Sequence, residues 1–304
     1  MIIVDGIADE EYSRQPYLMA TELASATADL AKEIAGISYR AFLAISSAHG
    51  FPPDFPSLES AYPAYELLID RPDYIGLVAM VDGRPVGSNF LMMSDSVAAI
   101  GPLTVEPGRQ GQGIGRLLMQ SLMGRAAAHG YRELRLLQDT YNVTSLALYC
   151  SLGFDVRDTV ALVSTTSAEP SDSSVRLLVP SDIPAIDRLC LVHYNTTRKN
   201  ELAILCRYGF PIYVRELRGA ITGYYMPGLF GHGISQTSDD AFALISQVTK
   251  IVPTGFQKFL CPTKQSELLL RSLKAGWKIE KLLTYMTYGP YKETTGVCTP
   301  SACY

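Results

Sequence analysis

The sequence predicts an α/β (α+β) chain of two tandem units, each a mixed, mostly antiparallel central sheet flanked by helices. Three observations carry this expectation. Strand patterns of period two and helical patterns of period 3.6 alternate along the chain instead of being segregated. A small, polar, proline-bearing stretch, Thr165-Thr166-Ser167-Ala168-Glu169-Pro170-Ser171-Asp172-Ser173-Ser174, interrupts the chain near its middle, and the pattern restarts beyond it. The end of the second half also echoes the end of the first. Leu148-Tyr149-Cys150-Ser151-Leu152-Gly153-Phe154 is matched by Leu270-Arg271-Ser272-Leu273-Lys274-Ala275-Gly276-Trp277, and eleven residues before each glycine stand Asn142 and Gln265. The units are expected at residues 1–166 and 175–304, with 167–174 as linker.

The elements follow in order. Residues 28–48 place Leu30, Ile34, Ile37, Ala41 and Ala44 at helical spacing. The loop His49-Gly50-Phe51-Pro52-Pro53-Asp54-Phe55-Pro56-Ser57 stops that helix, because adjacent prolines cannot continue it. A second helix is expected over 62–70. Strands at 76–81 and 85–93 flank Asp82-Gly83, a dipeptide suited to a tight hairpin turn, and a third strand at 97–105 completes an antiparallel meander. A glycine-rich stretch at 108–115 leads into a helix over 114–129, with Gly130 placed to end it. A strand at 131–138, a short helix at 145–152 and a strand at 154–164 close the first half. In the second half, strands are expected at 175–179, 211–216 and 220–226, with a helix starting at Ser181-Asp182-Ile183-Pro184.

Composition narrows the function. The chain has 304 residues, 47% hydrophobic and 18% charged, enough to bury the cores of two units. A net charge of −4 provides no broad basic field for phosphate backbones, so nucleic acid is not an expected partner. No run of about 18 apolar residues occurs, which excludes a transmembrane helix, and the first 20 residues do not read as a secretory signal. Six scattered cysteines suit a reduced compartment, so a cytoplasmic location is expected. Cys298 and Cys303 form a lone pair with no second pair at zinc-like spacing, so no metal is expected.

The chemistry concentrates at Gln110-Gly111-Gln112-Gly113-Ile114-Gly115-Arg116, between a strand and a helix. Glycines there let backbone N–H groups converge on one point, and the helix adds its positive N-terminal end, together a seat for a pyrophosphate. A nucleotide triphosphate loop would need Lys-Ser/Thr after the glycines. A dinucleotide site would need a parallel βαβ unit and an acid about 20 residues on. Neither pattern is present.

The wider context is more specific. Ile100-Gly101-Pro102-Leu103-Thr104-Val105-Glu106-Pro107, the glycine stretch, and the segment from Asn142 through Ser145, Leu148 and Tyr149 to Gly153-Phe154 together resemble the GNAT superfamily of acetyl-CoA-dependent N-acetyltransferases over roughly residues 75–163. The resemblance implies acetyl-CoA as co-substrate and a small-molecule or peptide amine as acceptor, with no membrane partner. It implies that backbone groups of Leu103, Thr104 and Val105 hold the acyl carbonyl and the pantetheine arm. The residues Gln110, Gly111, Gln112, Gly113, Ile114, Gly115 and Arg116 would cradle the pyrophosphate. Asn142 matches an asparagine near the pantetheine, and Tyr149 matches the tyrosine that protonates the departing thiolate. Each has a structural alternative: Tyr149 as a half-buried helix tyrosine, Asn142 as a helix cap, and Pro102 as an edge-strand proline instead of the opener of a bulge.

The mechanism implied is direct attack of the amine on the thioester, with strand amides stabilising the oxyanion. A neutral amine is required, so a general base is expected. The strand at 97–105 carries no acid, and Glu106 lies past its end; Asp139, His49 and Asp54 are the candidates. Phe51, Phe55 and the prolines of that loop would make a stiff apolar lip for the acceptor, or would pack on their own unit. The second half lacks the glycine loop, has Ser238-Asp239-Asp240 where phosphate would sit, and has Ser272 in place of Tyr149. It reads as a degenerate copy, with Tyr224-Tyr225-Met226-Pro227 and His232 either lining a pocket or packing its core. Two other functions stay open: a non-catalytic acyl-CoA sensor, and a protein lysine or N-terminal acetyltransferase.

Overall fold

The computed structural model describes residues 21–166, 172–228 and 231–302. The amino-terminal stretch, residues 167–171 of the expected linker and Cys303 fall outside these ranges.

The first half runs β1 (Glu22–Ser25), α1 (Ala31–Ala48), α2 (Leu58–Asp70), β2 (Tyr74–Val81), β3 (Arg84–Met92), β4 (Ala98–Ile100), β5 (Thr104–Val105), α3 (Ile114–Ala128), β6 (Leu134–Asp139), α4 (Val143–Ser151) and β7 (Asp155–Ser164). The second half continues with β8 (Val175–Leu177), α5 (Ile183–His193), α6 (Lys199–Arg207), β9 (Tyr213–Leu217), β10 (Ala220–Met226) and β11 (His232–Ser235). It ends with α7 (Ser238–Thr249), β12 (Lys258–Pro262), α8 (Ser266–Lys274), β13 (Lys278–Tyr288) and β14 (Val297–Thr299).

The predicted meander is present. Asp82 and Gly83 both adopt positive φ (50° and 72°), the geometry of a two-residue hairpin turn that matches strand twist, and Arg218-Gly219 repeats it between β9 and β10 (53° and 76°). Side chains alternate across the meander. Leu77, Ala79 and Leu91 pack with Leu118, Met119 and Leu122 of α3. Val78 and Phe90 face the other way, onto Ile34, Ala35 and Tyr65 of α1 and α2. Each fully buried leucine of this kind contributes roughly 1.5–3 kcal/mol relative to exposure.

Two expected elements differ in detail. Helix α2 starts at Leu58, earlier than its apolar pattern suggests, because Ser57 and Ser60 form a reciprocal capping box: the Ser60 amide donates to Ser57 Oγ (3.3 Å) and the Ser57 amide to Ser60 Oγ (3.1 Å). The strand expected at 97–105 is broken. β4 pairs with β3 through Leu91↔Ile100, whereas β5 pairs with it through Ser88↔Thr104, a register one residue out of step. Gly101 (φ 133°), the cis Gly101-Pro102 peptide and Leu103 form the intervening bulge.

The sheet topology joins the halves. The larger sheet has nine strands in the order β1-β2-β3-β4-β6-β13-β7-β12, with β5 on β3. Strand β13, from the second half, lies between β6 and β7 of the first, pairing antiparallel with both. Strand β7 in turn lies between β13 and β12. Each half therefore lends its last long strand to the other's sheet. A second sheet, β14-β11-β10-β9-β8, carries the rest of the second half. Tyr224, Tyr225, Met226 and His232 are buried there, with Tyr224 Oη 2.7 Å from His232 Nε2, so they pack the core. Among the described residues, no helix is long and apolar enough to cross a membrane.

Candidate active site

Among the described residues, the only parallel contact between strands in the sheet, β4 with β6, is short: Ala98↔Leu134 and Ala99↔Arg135. Beyond it the two strands diverge, because the bulge at 101–103 carries β5 away on β3. A cleft thus opens between β5 and the far end of β6, and among the described residues β5 has a strand partner on one side only. The Thr104 hydroxyl anchors this edge inside, 2.8 Å from Ser38 Oγ of α1 and 3.2 Å from Ser88 Oγ of β3, all three buried.

The glycine stretch wraps the mouth of the cleft. Gln110 Nε2 donates to the Val105 carbonyl (3.1 Å), and Glu106, at the strand's end, takes a bidentate interaction from Arg40 of α1. Gly111 (φ 75°) and Gly113 (φ 83°) adopt left-handed backbone that a side chain would strain. Gly113 is the N-cap of α3; no side chain caps that helix and no acid stands in its first turn. Its initial N–H groups thus present the positive helix end toward the cleft. A Cβ on Gly115 would touch Leu148 (3.5 Å), Leu103 (3.7 Å) and Val105 (3.9 Å), so β5, α3 and α4 converge there. Ile114 is buried, and Arg116 Nη2 donates to Ser151 Oγ (2.7 Å), tying α3 to α4. Gln112 lies in the turn between the two left-handed glycines.

Asn142 caps α4, its side-chain oxygen accepting from the Ser145 amide (3.1 Å). Tyr149, about two turns beyond Asn142, is buried against Phe154 and the α3 cluster. Burial pushes its hydroxyl up to about 12, partly opposed by a hydrogen bond with the Ser145 side chain, so it is protonated at neutral pH. The helix-cap and buried-tyrosine descriptions thus both hold.

Of the three candidate bases, Asp54 and Asp139 come together, bridged by Lys281 of β13. His49 and Phe51 stack on Tyr141, with ring centroids 5.1 and 4.6 Å away, so the proline-rich loop closes over the end of β6. Glu106 is committed to Arg40. Lys281 and Tyr141 were not legible as site residues: Lys281 arrives on a strand from the other half, and nothing in its local sequence distinguishes it.

The corresponding region of the second half is built differently. Helix α7 is capped by the Thr237 hydroxyl and carries Asp239 and Asp240 in its first turn. Strand β14 lies along the edge of β11, through Gly233↔Thr299 and Ser235↔Val297, where the first half has an open edge. The Ser272 hydroxyl, aligned with Tyr149, is buried and donates to the Leu268 carbonyl. A cavity of about 580 Å³ remains, bordered by Thr237, Gln265 and Val297 among others.

The unpaired edge of β5, the glycine turn and the uncapped helix stand within a segment that is similar to known proteins. Residues 44–154 match the Acetyltransferase (GNAT) family. The fold, over almost the whole chain, is that of a candidate acetyltransferase from Pyrococcus horikoshii, at TM-score 0.76 and 15% identity, covering 98% of both chains. A GCN5-related N-acetyltransferase from Sphaerobacter thermophilus (TM-score 0.58, 15% identity) covers 90% of this chain and 98% of its own. A tandem GNAT protein from the clavulanic acid biosynthesis pathway (TM-score 0.56, 14% identity) covers 90% of this chain and 100% of its own. No curated protein matches the sequence. Just over a third of the chain thus matches that family, and the fold of nearly the whole chain is similar to that of a tandem GNAT protein.

Proposed function

We propose that the protein transfers an acetyl group from acetyl-CoA to an amine acceptor by direct attack, using one site per chain, in the first half. The observation that carries this reading is the uncapped N-terminus of α3, with left-handed Gly111 and Gly113, set beside the open edge of β5. Amides from Gly111 to Arg116 would hold the pyrophosphate, and the free edge of Leu103, Thr104 and Val105 would hold the pantetheine arm and the thioester carbonyl as an added strand. Those amides would stabilise the developing oxyanion. Tyr149, protonated and buried, would donate to the leaving sulfur. The chemistry supplied by acetyl-CoA when bound is an activated acyl group; the chain's task is to align it, exclude water and manage two protons.

The second half, residues 175–304, is read as a copy without its own acyl-CoA site. The start of α7 is already capped by Thr237 and carries Asp239 and Asp240, each paired with an arginine, so its amides are not free for a pyrophosphate as those of α3 are, and β14 takes the edge a pantetheine would need. Calorimetry of the intact chain with acetyl-CoA tests both statements. One site per chain, lost in Gly113→Glu, is expected. Two sites would overturn the reading of the second half, and none would sink the acetyltransferase assignment.

A further inference from the structure

Asp54, in the loop between α1 and α2, Asp139, at the end of β6, and Lys281, on β13, form a compact cluster. Lys281 Nζ lies 2.5 Å from Asp54 Oδ1 and 2.8 Å from Asp139 Oδ1. Their side chains are 20%, 10% and 8% exposed, so Asp54 is the member most open to a ligand. The Tyr141 hydroxyl donates to Asp139 Oδ2 (2.8 Å), and the Phe51 and His49 rings cover Tyr141. Asp139 ends β6, and its backbone carbonyl accepts the amide of Asn142, the cap of α4 (2.9 Å).

Two carboxylates sharing one ammonium leave a single excess negative charge in a largely dry place, which an arriving cation would neutralise. An amine acceptor arrives as such a cation. We propose that Lys281, supplied by the second half, is a positioning residue that keeps the Asp54–Asp139 pair anionic, so that Asp54 takes the proton of the acceptor ammonium. This rests on the acetyl-transfer reading above. The ammonium gives one proton to Asp54, and its nitrogen then forms the bond to the acyl carbon as the carbon–sulfur bond breaks. Tyr149 hands its hydroxyl proton to the sulfur and recovers one from the second proton leaving nitrogen. Asp54 returns its proton to solvent.

The electrostatics agree. Burial raises the Asp54 carboxyl and Asp139 raises it further, while Lys281 opposes both; the net position is above the ordinary carboxylate range. Burial lowers Lys281, but the two carboxylates outweigh it, so it stays an ammonium. The other groups facing Asp54 are Tyr65 of α2 and Tyr141, both kept neutral by burial, and Lys258 of β12, which pairs with Glu280 (2.6 Å). His49 Nδ1 is engaged with the Ile45 carbonyl (2.9 Å).

The test is the pH profile of kcat/KM for thiol release from acetyl-CoA, with the best of three primary amines: 2-phenylethylamine, putrescine or Nα-acetyl-lysine amide. Lys281→Met should bind acetyl-CoA as wild type does, yet move the acid limb upward by about one pH unit or more, as expected for paired carboxylates that lose their cation. Lys281→Arg should restore the limb. Asp139→Asn should move it the other way, to lower pH, and serves if Lys281→Met does not fold. The limb should persist in His49→Gln. A uniform loss at every pH in Lys281→Met, or an unmoved limb in Asp139→Asn, overturns the inference while leaving acetyl transfer intact. A wild type that releases no thiol with any of the three amines overturns both.

Discussion

At the scale of single residues, Tyr149 illustrates how one side chain serves packing and chemistry together. Its ring belongs to the cluster under α3, while its hydroxyl, held protonated by burial, faces Ser145. Tyr149→Phe keeps the ring and removes the proton donor. We expect kcat to fall by about 10²-fold, the low end of general acid catalysis, with acetyl-CoA affinity changed little; calorimetry beside thiol-release kinetics separates the two. Equal losses in affinity and kcat would show that the hydroxyl serves binding. Gly87 offers a second, steric case. A Cβ there would lie 2.8 Å from the Thr104 carbonyl, so Gly87→Ala should displace β5 from β3 and weaken acetyl-CoA binding, although Gly87 is not itself among the residues proposed to hold the cofactor. Unaltered affinity in that variant would mean that the free edge of β5 is not the pantetheine seat.

At the scale of elements, the strongest local patterns carry over. The hairpin at Asp82-Gly83, the glycine stretch before α3 and the Gly153-Phe154 end of α4 all stand where their residues suggest, since each depends on turn or cap chemistry confined to a few neighbours. The break between β4 and β5 was legible only as a proline inside an apolar run. α6 was not anticipated because its start is stabilised from elsewhere. The Asp95 carboxylate, from the first half, accepts the amides of Asn200 (3.2 Å) and Glu201 (3.1 Å), a cap supplied across the junction of the halves. Asp95→Ala should cost about 1 kcal/mol or somewhat more, as lost caps do, and lower the midpoint of denaturant unfolding. At the start of α5, a hydrogen bond from Arg176 holds the Asp182 carboxyl below its ordinary range. Its contribution is therefore complete above the unfolded carboxylate value and lost as pH falls through the depressed folded one. Wild type and Asp182→Asn should thus differ in melting temperature at neutral pH and converge in acid; a difference independent of pH would contradict this assignment.

At the scale of the whole molecule, the exchange of β7 and β13 dominates. β13 makes its ladders with β6 and β7, strands of the other half, so the larger sheet is incomplete without segments of both halves. Two consequences follow from open edges being costly. Heating should unfold the intact chain in one cooperative transition, read as equal calorimetric and van't Hoff enthalpies. Residues 1–166 alone, deprived of β13 and β12, should aggregate or pair through the bared edges of β6 and β7; a stable monomer of that fragment in sedimentation would refute the coupling. The same exchange brings Lys281 to Asp54 and Asp139, which ties the site of one half to the presence of the other.

The mixed sheets and flanking helices, the hairpins, the glycine-rich turn before α3, and Tyr149, Asp54 and Asp139 as candidates were legible in the sequence alone. Those features rest on side-chain periodicity and on backbone preferences of Gly, Pro and capping residues, which act over a few positions. Only the tertiary structure decided that β4 and β6 part after two residue pairs, that β14 covers the edge of β11, and that Lys281 completes the carboxylate pair. Strand pairing joins residues far apart in the chain through backbone hydrogen bonds that are alike for every side chain, so local pattern marks a strand without naming its neighbour.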